Sequence, residues 1–217
     1  MGNKVKNENL SICSKCGGKC CKKCGCDYSA NDFKNCSYDN LLKELDKGDK
    51  SIVAFLDFKS NNVVEPFLYI RARNKNREIV DLISMKTECS QLRENGCSHD
   101  YMHRPFGGKN LTPSIKGYGY CKTIMDPMDV VKTWKPYQKT LQRLVIHYTG
   151  MNVVNKIRED VSELFYRVLT NDFQDVMEEE IKDLKLFVPL LINYFPSELA
   201  NASKKFNMNK GKMLVRK

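Results

Sequence analysis

The pattern of apolar positions changes period twice along the chain. In SYDNLLKELDKG, residues 37–48, Leu41, Leu42 and Leu45 fall on one helical face. Ser37 offers an N-cap, and Gly48 stands where a helix takes its C′ glycine. The shorter SANDFK, residues 29–34, carries Ser29 with Asp32 three positions on, a compact capping box. The period then drops to two. SIVAFLDF (51–58) and VVEPFLYIRAR (63–73) are rich in β-branched and aromatic residues, with KSNN as a turn between them, and NKN (74–76) leads into REIVDLIS (77–84). The expectation is a three-stranded antiparallel meander, with Pro66 confining its strand to an edge or a bulge.

Beyond an irregular 85–125 the helical period returns. Asp126 followed by Pro127 reads as cap and first residue of a helix. Pro136 predicts a break near Lys135. A stripe at 137, 141, 144, 145 and 148 ends at Gly150, and 152–172 forms another amphipathic helix. Two or three shorter helices are expected over 173–206. Residues 1–12 are polar and read as disordered.

These elements define an α+β protein: a small antiparallel β-meander and cysteine-rich loops packed against a mainly helical C-terminal half. The 217 residues fit one domain, with 13–125 holding the cysteines and the meander, 126–206 the helices, and 207–217 a basic tail. The start is polar and lacks the apolar region of a signal peptide. The longest apolar run, 186–195, is about half of the ~20 residues that span a bilayer. The reading is therefore a cytoplasmic protein with no membrane partner.

Charge narrows the partners further. The net +10 sits at the ends: residues 1–35 hold seven Lys/Arg against three Asp/Glu, residues 204–217 hold six basic residues and no acid, and 36–203 is balanced. A neutral body weakens the electrostatic case for nucleic acid that the net charge alone would make.

The ten cysteines carry the candidate chemistry. Six lie in CSKCGGKCCKKCGC, residues 13–26, and the others at 36, 89, 97 and 121. A C-x2-C pair such as Cys13/Cys16 lets two thiolates from one turn reach an ion at about 2.3 Å. Adjacent Cys20 and Cys21 suit separate ligation rather than one unstrained disulfide. In a reducing compartment this density favours metal over disulfides. Zinc is preferred to an iron–sulfur cluster, because the evenly spaced ferredoxin run with its trailing proline is missing.

Three segments, CSKCGGKCC (13–21), GCDYSANDF (25–33) and CSQLRENGCSHDYMHRP (89–105), resemble the YkgJ family of cysteine-cluster proteins, described as a zinc- or iron-chelating domain. By position, the resemblance implies Cys13, Cys16, Cys20, Cys21, Cys26, Cys89 and Cys97 as ligands. Cys121 stands in for a family cysteine missing after the Arg-Pro pair. Cys24 and Cys36 fall outside the pattern, and Cys36 reads as a small core residue. His99 or, more distantly, His103 could complete a site of three cysteines and one histidine, but both read first as polar loop histidines.

Metal ions are thus the expected partner, and a metal site that organises the fold is the expected function. The alternatives are an iron–sulfur enzyme similar to the flagellin lysine N-methylases and a zinc-dependent nucleic-acid binder. Arg71 and Arg73 on one strand face, and Arg104 and Lys109 around HRPFGGKN, suit a carboxylate or phosphate of a small ligand or a protein. Acidic residues on the C-terminal helices read as solvated faces.

Overall fold

The structure, a computed structural model, describes residues 21–22, 25–59, 64–85, 87–94, 96–112, 122–123, 126–176 and 178–215. Strands β1 (Asp27–Tyr28), β2 (Lys50–Phe58) and β3 (Val64–Ala72) form one antiparallel sheet in the order β1-β3-β2. Between β1 and β2 lie a 3-10 turn, Ala30–Asp32, and helix α1 (Tyr38–Asp46). Ser29 and Asp32 close the expected capping box, Ser37 caps α1, and Gly48 turns the chain at φ 73°.

The third strand differs from the expectation. It is the two-residue β1, paired with Ile70 and Arg71 on the far side of β3. Residues 79–82 instead run along the free edge of β2, with one parallel bridge between Ile52 and Val80. The hydrogen bonds Ile52 N–Ile79 O (2.7 Å) and Asp81 N–Ile52 O (3.0 Å) begin a ladder. Ala54 N–Leu82 O (3.2 Å) continues it, and a helix carboxylate, Asp160, accepts from the amides of Leu82 (2.9 Å) and Ile83 (3.4 Å). Pro66 is tolerated in β3 because β1 reaches only residues 70 and 71, leaving that side of the strand bare at Pro66.

The helical half begins with α2 (Phe106–Lys109), followed by α3 (Pro127–Lys132), α4 (Gln138–Thr149), α5 (Val153–Thr170), α6 (Glu178–Tyr194) and α7 (Pro196–Val215). Short ladders pair β4 (Leu92–Arg93) with β5 (Gly96–Cys97) and β6 (Leu111–Thr112) with β7 (Lys122–Thr123). Asp126 caps α3, a 3-10 turn at Lys135–Tyr137 marks the break at Pro136, and Gly150 ends α4 at φ 69°. Of the two or three shorter helices expected over 173–206 there are two, both long, α6 keeping its course through Pro189. The basic 207–217 stretch is helical as far as Val215.

One apolar cluster joins the sheet to the helices. Leu41, Ile52, Ile70, Trp134, Leu141, Leu144 and Leu191 are all fully buried in it. Trp134 donates its indole N–H to the Tyr28 carbonyl at 2.7 Å. Gln138 plays the part of a strand: its side chain accepts from Leu68 N (2.9 Å) and donates to Leu68 O (2.8 Å), covering the β3 edge that β1 leaves open.

The described residues form no metal-bound loop. Among the described residues no group of three or more His, Cys, Asp and Glu side chains is set to hold a metal ion.

Candidate functional site

Five cysteines of interest, Cys13, Cys16, Cys20, Cys24 and Cys121, lie outside the described residues. The other expected ligands are drawn toward one side of the sheet by main-chain bonds. Cys21 O accepts from Cys89 N at 2.7 Å, and Cys26 O accepts from Ala72 N at 2.9 Å. Cys97 pairs with Leu92 in the β4–β5 ladder. Bonding through the backbone does not bring three donor side chains of the described residues onto one point, which is what a metal site requires. Cys36 is the core residue it was expected to be. It is buried, its thiol donates to Ala30 O at 3.4 Å, and burial pushes that thiol up to about 11. His103 pairs with Asp100 on the surface at 2.7 Å. His99 lies 3.8 Å from Asp49.

The four basic residues singled out for anions are placed as follows. Arg71 donates to Asp27 at 2.8 Å and to the Tyr69 hydroxyl at 2.9 Å. Lys109 lies 3.4 Å from Asp32, and the Arg104 Nε donates to His99 O at 3.4 Å. Arg73 follows the last residue of β3, its guanidinium within reach of the Gly48 turn and its Nε buried without a hydrogen-bond partner.

A different constellation forms on the other side of the sheet. A cleft of about 510 Å³ opens between the 76–85 segment, the turn joining α4 to α5, and the exposed flank of α5. The left-handed Gly150 ends α4, and Asn152 caps α5 by accepting from Asn155 N, so the two helices turn back on each other within three residues. Helical spacing then sets Lys156, Glu159, Asp160 and Glu163 on one flank of α5, beside the apolar stripe of Ile157, Val161 and Leu164.

Asp160 is the hinge of this arrangement. Its side chain is 14 % exposed, receives the Leu82 and Ile83 amides, and meets the Lys156 ammonium at 2.8 Å. Lys156 is itself buried and reaches Glu159 at 2.8 Å and Glu78 at 3.7 Å. Burial works against the Lys156 charge, but hydrogen bonds to Asp160 and Glu159 outweigh it and hold the ammonium above its ordinary range. For Asp160 burial wins. With the Asp81 charge added, it pushes the carboxyl up to about 6, against the pull of Lys156 and the Leu82 amide. Asp81 is raised as well, by burial first, opposed by its bond to Ser84 and by Arg77, Arg71 and Lys156. Two carboxyls with strengthened hold on a proton therefore line one open cleft, one from each wall. Arg77 stands at the mouth, its Nη2 3.2 Å from Asp175 and its Nε buried without a hydrogen-bond partner.

None of these residues was singled out from the sequence. Residues 77–84 carry a strand pattern, and Glu159, Asp160 and Glu163 follow the spacing of a solvated helix face. The one available signal was Lys156 with Asp160 four positions on, bordering the apolar stripe rather than opposite it.

No protein-family model, no curated protein and no solved structure matches the chain. The resemblance to the YkgJ family is therefore not sustained. With it, and with no metal-holding group among the described residues, go the zinc or iron–sulfur cofactor and metal ions as partner. The metal-dependent functions, whether structural, enzymatic or nucleic-acid binding, fall with them. Among the described residues no helix is long and apolar enough to cross a membrane.

Proposed function

We propose that this protein binds a small organic molecule in the cleft between the 76–85 segment and α5, and that Asp160, coupled to Asp81, exchanges a proton with it. The observation that carries this reading is the pair of carboxyls opening into a cavity large enough for a small ligand. A carboxyl that takes up a proton near pH 6 is matched to proton transfer close to neutrality, where an ordinary aspartate is too weak a base. Lys156 and the two backbone amides fix the position of Asp160, so the proton is handled at a defined place. We place this activity in the cytoplasm, where the free thiols of Cys36 and Cys97 are kept reduced.

The test is a methyl-labelled NMR screen with a library of small organic fragments at pH 5 and pH 7. Binders should shift Ile83, Met85, Met151 and Leu164, which line the cleft, with affinities that differ between the two pH values. Asp160→Asn should flatten that difference. Shifts that map away from these four residues, or none at all, would sink the proposal.

A further inference from the structure

We infer that the ligand of this cleft is an organic cation, an aliphatic amine or diamine; the inference rests on the binding reading above. The sign of the cavity is opposite to that of the chain. On a protein of net charge +10, five carboxylates, those of Glu78, Asp81, Glu159, Asp160 and Glu163, line the cleft with only two cations. Both cations already face carboxylates. Lys156 is held by Asp160 and Glu159, each at 2.8 Å, and Arg77 reaches Asp175 at 3.2 Å. The Arg77 Nε is left without a partner, but an anionic ligand reaching it would have to lie among carboxylates that outnumber the cations of the walls.

The acidic groups toward the rim are the less fully engaged ones. Glu78 is 78 % exposed with its nearest cation, Lys156, at 3.7 Å. Glu163 is 58 % exposed and 3.5 Å from Lys205. An ammonium entering the cleft would find these two before it met the buried network. The end of α4 adds to the same sign. Tyr148 and Thr149, its last residues, line the cleft, and a helix C-terminus presents partial negative charge. Between these groups Ile83 and Met151 offer an apolar stretch suited to a short methylene chain. Protonation of both Asp160 and Asp81 still leaves three carboxylates against two cations and does not reverse the preference.

The experiment compares three four-carbon probes by methyl NMR on the intact protein: 1,4-diaminobutane, 1,4-butanediol and succinate. The diamine should shift Ile83 and Met151 saturably and weaken with added salt, while the diol and the diacid leave them unmoved. Glu78→Gln and Glu163→Gln change exposed side chains and leave the fold intact. Each should loosen the diamine about threefold, as expected for a partly solvated charge contact. If succinate or the diol binds in the cleft as well as the diamine, the cation assignment is wrong and the cleft remains a ligand site. If no probe moves the cleft methyls, the cation assignment is overturned. If the fragment library is silent there too, the binding reading falls with it.

Discussion

Asp160 shows how one side chain can serve structure and chemistry together. It anchors the segment along the β2 edge by taking the Leu82 and Ile83 amides, yet it does so as a carboxyl whose charge is costly where it sits. Its folded-state value of about 6 lies above the ordinary 3.8. The stability it contributes is therefore complete below about pH 4 and is lost as pH rises through 6, a change of roughly 3 kcal/mol. Lys156, Glu159, Asp81 and the loop amides all face this group, and Asp81, also raised, works in the same direction. Urea denaturation of wild type and Asp160→Asn between pH 4 and pH 7 isolates the effect. The stability advantage of the aspartate should shrink by that amount as pH rises; an advantage constant across the range would show that Asp160 does not titrate there. None of this could be read from the sequence, because an Asp on a helix flank carries no sign of the loop folded against it. Asn74 makes the same point: it reads as a turn residue but is buried, accepting from Gly25 N at 2.8 Å. Gly25 has to be glycine because a Cβ there would lie 1.8 Å from the Ala72 carbonyl oxygen.

Elements were legible where their signals are local. The caps Ser29, Ser37 and Asp126, the glycine stops at 48 and 150, and the break at Pro136 all depend on a few adjacent residues, and the structure has each of them. Strand partners depend on residues far apart, so the third strand was misplaced: 79–82 lies parallel along β2 through a few main-chain bonds, and the two-residue β1 took the edge of β3. The cysteine spacing failed for a related reason. Spacing says which thiols could reach a common point, and among the described residues no group of donors is set to hold a metal ion, while the main-chain carbonyls of Cys21 and Cys26 bond Cys89 and Ala72. Gln138 supplies the testable case at this scale. Gln138→Leu keeps the bulk but strips both partners from Leu68, whose N–H and C=O would be left on a strand edge packed against α4. The expected cost is about 1–3 kcal/mol, with faster hydrogen exchange at the Leu68 amide. Unchanged exchange there would mean that β3 does not need this side-chain strand.

At the scale of the molecule, the apolar cluster decides whether the two halves act as one. Leu41 and Leu45 of α1, Ile52 and Ile70 of the sheet, Leu144 of α4, Phe165 of α5, Leu191 of α6 and Ala202 of α7 belong to a single cluster. A ligand in the cleft would then bear on both halves, since one wall is the segment bonded to β2 and the other is α5. Unfolding should be one transition for the same reason. The chain supplies its own reporters: its single tryptophan, Trp134, is fully buried beside Tyr28 and Phe33 near the sheet, while helical circular dichroism is dominated by α4 to α7. In urea the tryptophan fluorescence and the helical signal should change together, with one midpoint. If the tryptophan signal were lost at a lower urea concentration than the helices, sheet and bundle would be separate cooperative units, and the cleft between them would open before the fold is lost.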